Sequence, residues 1–153
     1  MNLFAQYIIF IPIIAWFAAV VIKGIYGLHR KNFSVSQTLG SGGMPSVHSA
    51  LVTSITTALG IKYGIFSDIF SLALVFSMII IYDAINVRFE AGLHAKALNE
   101  ISFQGTERRK DSHIFHKPER RKNTFNESIG HLPEEAFAGS VIGIIVAMIL
   151  MNI

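Results

Sequence analysis

Four apolar stretches, Leu3 to Ile22, Ala50 to Ile61, Ile69 to Ile85 and Ala136 to Ile153, constrain this chain more than any other feature. Crossing a bilayer takes roughly 20 apolar residues, with about 17 as a working minimum. The first, third and fourth stretches meet that length. The second does so when it is counted from Met44 to Phe66, with His48 and Lys62 near its two ends, and is otherwise a re-entrant half-helix. With 52% hydrophobic and 15% charged residues and a mean hydropathy of +0.50, the 153-residue chain is too apolar for an ordinary soluble domain. The expected fold is therefore an all-α membrane bundle of about four transmembrane helices with a cytoplasmic helix extension, forming one domain over 1–153.

The start of the chain has neither a basic segment nor a credible small-residue cleavage site, so the first stretch is expected to stay as a helix. There is no cysteine, which excludes disulfides and thiolate metal sites. The cations gather in two places. Lys23, Arg30 and Lys31 follow the first stretch, and Arg108, Arg109, Lys110, Lys117, Arg120, Arg121 and Lys122 lie between the third and fourth. Four crossings put both groups on one side, which the positive-inside rule makes cytoplasmic. The opposite turn, around Gly60 to Asp68, carries only Lys62 and Asp68.

Helix one is expected from Leu3 or Phe4 to about His29, kinked by Pro12. Pro45 suits the first turn of helix two, approached through Ser41 to Met44. The third helix continues beyond the hydrocarbon region, and there Arg88, Gly92, Ala95 or Lys96, and Asn99 recur at spacings of three and four, sharing a face that Asp83 approaches. Ser102 to Thr124 is polar, basic and aperiodic, and reads as a mobile loop near anionic headgroups. In the last helix Ala136, Ala138, Gly139, Ser140 and Gly143 offer a small-residue face for close packing.

Two clusters stand out against this apolar background: Gly42-Gly43-Met44-Pro45-Ser46-Val47-His48-Ser49 and Gly130-His131-Leu132-Pro133-Glu134-Glu135. Ionisable groups at the ends of membrane helices are by default functional. The first cluster has the design of a phosphate cradle, in which glycines admit a close backbone approach to the unpaired N–H groups of a helix start. A capped turn explains the glycines and Ser46 equally well, but a cap needs no histidine. In the second, His131 and Glu135 lie four residues apart, so that the carboxylate can hold one ring nitrogen protonated and leave the other free to attack. Lys23 and Arg30 are cations in an apolar helix, for which reaching to the headgroups is the ordinary explanation. His29, His94, His113 and His116 lack acidic or thiol partners at fixed spacing and read as surface residues, so no metal and no cofactor is expected.

Taken together, Lys23 with Arg30, Pro45-Ser46-Val47-His48, Tyr82-Asp83-Ala84 with Val87-Arg88, and Gly130-His131-x-Pro133-x-Glu135 resemble the signature blocks of the type 2 phosphatidic acid phosphatases, relatives of the vanadium haloperoxidases, and most of all their small divergent branch. The resemblance spans Lys23 to Gly143. It implies that His131 is the nucleophile, forming a phosphohistidine, with Glu135 orienting it and His48 protonating the departing oxygen. It also implies that Lys23, Arg30 and Ser46 bind phosphate, together with backbone N–H groups at Gly43 and Val47. The family's third block has an arginine six residues before its histidine, where this chain has Phe125. Arg88 is the candidate replacement. Glu135 stands in place of aspartate, Val47 in place of glycine, and Lys31 in place of proline.

The expected activity is that of a metal-independent phosphatase or phosphotransferase acting on a lipid phosphomonoester or prenyl pyrophosphate at headgroup depth. Its expected partners are that lipid substrate and the surrounding membrane lipids, with a homodimer as a further option and no nucleic acid. The expected location is the bacterial inner membrane, with the site facing the cytoplasm. The alternative is an inactive relative that binds or scaffolds phosphorylated headgroups. A transporter is disfavoured, since no acidic residue lies in mid-membrane and no inverted repeat is visible.

Overall fold

In this computed structural model the described residues are 6–29, 43–110, 125, 127 and 129–152, with side chains described through Ser102 in the second of these segments. The regular structure among them is entirely helical: α1 Phe10–His29, α2 Val47–Tyr63, α3 Asp68–Tyr82, a π-helical turn Asp83–Val87, α4 Arg88–Lys110 and α5 Pro133–Asn152. Three helical segments are long and apolar enough to cross a bilayer: α1, the rod that begins with α3, and α5. Helix α2 has 17 residues, about 25 Å at 1.5 Å per residue.

Helix α2 is the axis of the bundle, packed against α1, α3 and α5. It buries Val47, Ser49, Ala50, Val52, Ser54, Thr56, Ala58 and Gly60, which are small or hydroxylated residues. Contacts along its length fix the directions of its neighbours. On α5, a side chain at Gly139 would run into the Ser46 carbonyl, and one at Gly143 into Thr53 and the Ala50 carbonyl. Ala147 meets Ala58 further on, so α5 runs parallel to α2. Ala19 packs on Val47 and Ala50 and Ile11 on Ala58, so α1 is antiparallel. Ser77 reaches Val52, Thr56 reaches Ala73, and Gly60 abuts Phe70, so α3 is antiparallel too. Helix α2 thus runs the length of its neighbours, unlike a half-helix that enters and turns back.

The bundle is greasy outside and polar within. Leu72, Val75, Phe76, Met78 and Ile79 of α3 are exposed, as are Ile13, Phe17, Val21, Ile144 and Ile145 of α1 and α5. Lipid tails are as apolar as leucine, so nothing drives these residues inward. Close packing by small residues and hydrogen bonds joins membrane helices instead. Thr53 Oγ1 donates to the Ser140 carbonyl at 3.2 Å, and the Thr56 and Ser77 hydroxyls meet at 2.7 Å. Among the described residues no buried side-chain nitrogen or oxygen lacks a partner.

Three boundaries differ from the sequence reading. Helix α1 begins at Phe10, with Tyr7 to Ile9 outside it, so Pro12 stands in the first turn, where its missing N–H breaks no helical hydrogen bond, and is no mid-helix kink. Pro45 precedes the helix instead of opening it: Ser46 is the N-cap of α2, its hydroxyl accepting from Ser49 N–H at 3.4 Å. Serine is the better cap because its oxygen satisfies an otherwise unpaired helix-start donor. Helix α4 continues to Lys110, so Ser102 to Lys110, expected as loop, is helical. Its Gln, Glu, Arg and Lys residues are strong helix formers that need no apolar period once the rod has left the hydrocarbon. The remainder of that expected loop, 111–124, lies outside the described residues, as do Leu3 and Phe4.

Candidate active site

The parallel run of α2 and α5 brings both of their N-termini to one end of the bundle. Each N-terminus carries unpaired N–H groups and the positive end of a helix dipole. The close seam at Gly139 and Gly143 sets their separation, and the Ser46 N–H, donating to the Glu135 carbonyl at 2.8 Å, ties the two starts together. The π turn at the end of α3 supplies the third wall. There the Arg88 N–H reaches back five residues to the Asp83 carbonyl, and the Ala84 carbonyl accepts the His131 N–H at 3.0 Å. Gly130, at φ 94°, lies so close to this turn that a side chain on it would strike the backbone of Arg88 and Phe89. Only glycine fits both the dihedral and the space.

Glu135 is the hub of the site. Its Oε2 lies 3.0 Å from His131 Nδ1 and accepts the Leu132 N–H at 3.2 Å. The Gly43 N–H also bonds this carboxylate, and the Lys23 ammonium is attracted to it. With a carboxylate on Nδ1, the imidazole keeps its proton there and exposes the Nε2 lone pair. His131 is only 2% exposed and Lys23 6%. Gly43, at φ 86°, leaves room for the lysine: a Cβ there would come 3.2 Å from Lys23 Cε. The His48 ring is exposed, and its centroid lies 6.2 Å from that of His131, with the planes at 62°. Two rings so placed can both touch one phosphoryl group within the roughly 2.6–3.2 Å that proton transfer requires. Arg88 and Asp83, an ion pair with Nε 2.6 Å from Oδ2, lie near enough to act electrostatically on His48.

Of the residues singled out from the sequence, Lys23, Gly43, Val47, His48, Arg88, His131 and Glu135 gather at this end of the bundle. Ser46 is there too, but it is fully buried, and its hydroxyl accepts from both the Ser49 N–H and the Ser49 hydroxyl. It serves as a post and leaves no hydroxyl turned outward. Val47 is buried against Ala19 and Ala50. Arg30 lies outside the described residues. Phe125, in the place of the third-block arginine, is held on α4 by Asn99, whose amide donates to its carbonyl at 3.0 Å and whose oxygen accepts its N–H at 3.2 Å. A side chain at Gly92 would strike the carbonyls of Glu127 and Ile129, so the Arg88–Asn99 face is where the approach to α5 lies. Sequence reasoning missed the π turn and the roles of Asp83 and Ala84. An acid and an arginine five apart carry no helical signal unless the helix is widened.

Residues 4–146 match the family described as the Divergent PAP2 family. A curated relative, the uncharacterized membrane protein YuiD of Bacillus subtilis (strain 168), is 30% identical over 136 residues, covering 88% of this chain and 86% of its own length. No solved structure matches.

Proposed function

This chain belongs to the divergent PAP2 family, and from that premise we propose that it hydrolyses or transfers the phosphoryl group of a lipid phosphomonoester or prenyl pyrophosphate through a phosphohistidine on His131. One observation carries the reading: a buried imidazole fixed by a carboxylate through Nδ1, with a second imidazole 6.2 Å away, below two helix N-termini and beside a buried lysine.

The phosphoryl oxygens are neutralised by Lys23, Arg88 and the N–H groups at the start of α2. Such preorganised donors and cations are the main source of rate in phosphoryl transfer and can act without a metal. His131 Nε2 attacks phosphorus as the bond to the leaving oxygen breaks, and His48, protonated, gives its proton to that oxygen. In the second step neutral His48 takes a proton from water, the water oxygen bonds to phosphorus and the N–P bond breaks. Inorganic phosphate leaves and both histidines return to their starting states. Glu135 holds the imidazole's orientation throughout and stabilises the cationic ring, as an acid partner does for a catalytic histidine elsewhere. With the site at a helix end, the lipid tail stays in the bilayer while the headgroup enters. By the positive-inside rule, the cations of the sequence at Lys23, Arg30 and Lys31 and in the Arg108 to Lys122 stretch support a cytoplasmic site in a bacterial inner membrane.

Phe125 in place of an arginine favours a second reading, a protein that binds lipid phosphate without turnover. Purified protein incubated with labelled phosphatidate and quenched in denaturant separates the two. Label trapped on wild type and absent from His131→Ala is the result expected. Turnover that survives both His131→Ala and His48→Ala overturns the mechanism. Bound phosphate with no turnover on phosphatidate, phosphatidylglycerol phosphate or undecaprenyl pyrophosphate establishes the second reading. A reporter fused within 108–122 that lies outside the cell would refute the orientation.

A further inference from the structure

The cations of the site stand in two tiers. Lys23 is buried, as His131 is, and is attracted to the hub carboxylate. Arg88 is exposed, as His48 is, and acts on it electrostatically; its side chain is 47% exposed against 39% for Asp83. In the reaction above, His131 marks the attacked phosphorus and His48 marks the leaving oxygen. A cation in the outer layer therefore faces what departs, and a leaving group that recruits a guanidinium is one that carries charge.

The π turn decides how that guanidinium is held. In an α-helix residues five apart lie about 140° apart around the axis. In the widened turn the Arg88 N–H bonds the Asp83 carbonyl, and the Arg88 Nε bonds the Asp83 carboxylate at 2.6 Å. Main chain and side chain are clamped to the same residue. The carboxylate takes Nε, and among the described residues the two terminal nitrogens of Arg88 make no hydrogen bond, which leaves them available to phosphate oxygens. The same turn holds the His131 N–H through Ala84, so the outer cation and the nucleophile share one rigid support.

We propose that Asp83 is a positioning residue that presents Arg88 to the leaving-group side of the site, and that this pair makes the protein selective for substrates whose leaving group is itself a phosphate, that is, lipid diphosphates over lipid monophosphates. The inference rests on the reading of His131 and His48 given above. Chemistry at such a substrate transfers the terminal phosphoryl group to His131 and releases the lipid monophosphate, its bridging oxygen protonated by His48 while Arg88 neutralises its remaining charge.

The test uses the full-length protein in dodecyl maltoside, with inorganic pyrophosphate and orthophosphate as binding probes by calorimetry, and farnesyl diphosphate and dioleoyl phosphatidate as turnover probes. Wild type is expected to bind pyrophosphate about tenfold more tightly than orthophosphate, the scale of one charge-assisted hydrogen bond to phosphate. Arg88→Ala and Asp83→Asn are expected to erase that preference, and to lower kcat/KM for farnesyl diphosphate about tenfold more than they lower that for phosphatidate. The exchanged double variant, Asp83→Arg with Arg88→Asp, restores an ion pair across the turn but places the carboxylate outward. It is expected to melt near wild type and to stay unselective. Equal losses on both anions, recovery of selectivity in the exchanged variant, or a wild type without the preference would each overturn the proposal. If wild type turns over neither lipid yet shows the binding pattern, the enzymatic reading falls and the selectivity stands. If it turns over both lipids with equal affinity for the two anions, the reverse holds.

Discussion

The seam between α2 and α5 and the rod that begins with α3 are made of opposite materials. Helix α2 buries eight of its residues, and none of them is larger than valine; α3 buries only Ser77. The apolar 18-residue stretch of the Asp68–Ser102 segment has the highest mean hydropathy of the three candidate spans, 2.0, and is the least buried, at 11%. In a bilayer, apolarity therefore marks what faces lipid, and smallness marks what faces protein. The chemistry sits at the end of the small-residue seam, where backbones approach closely enough to share carbonyls and N–H groups.

Substitutions can break or sharpen this contrast. The largest effect is expected at the mouth of the seam: His131→Ala should lower phosphate release at least about 10³-fold, as loss of a nucleophile does, with helix content unchanged by circular dichroism. Next, Gly139→Leu drives a side chain into the Ser46 carbonyl. Overpacking at a position with no slack destabilises by about 3 kcal/mol or more, which should appear as loss of the monodisperse peak in detergent chromatography. Glu135→Gln keeps the size of the hub but removes its charge; turnover should fall about 10- to 100-fold with a smaller change in KM, measured by initial rates. At the joint between the two regions, Thr56→Val removes the hydroxyl shared with Ser77 and the Ala73 carbonyl, worth about 0.6–1.7 kcal/mol in lipid, readable as a modest shift in thermal unfolding. On the outer face of the rod, Phe76→Leu should change stability by less than about 0.5 kcal/mol. A loss there as large as that of Gly139→Leu would mean that this face is covered by protein.

Much of the architecture is legible in the chain because lipid imposes it. Apolar runs of fixed length announce α1, α3 and α5, and a Ser/Thr/Ala-rich segment between them announces a helix wrapped in protein. The His131 and Glu135 pairing was legible as well, since a spacing of four is a helical contact. Three features were not. The bond from the Gly43 N–H to Glu135 joins residues some ninety positions apart and leaves no local trace. The Ser46 hydroxyl has the same chemistry whether it caps a helix or meets a phosphate, so sequence alone leaves both uses open, and the structure gives it to Ser49. The π turn is a departure from the very periodicity by which helices are recognised. It comes with two bonds that period cannot reveal, His131 N–H to Ala84 and Arg88 to Asp83.

That turn makes length itself a functional quantity in residues 83–87. Dropping one residue there restores ordinary helical winding with little change of phase, because the five residues of the widened turn cover about the rotation that four cover in an α-helix. The lipid-facing surface of α3 would keep its direction, and what would be lost is the five-residue clamp that sets the outer arginine. Point replacements in this stretch can be absorbed one side chain at a time; a single-codon deletion closes the bulge itself.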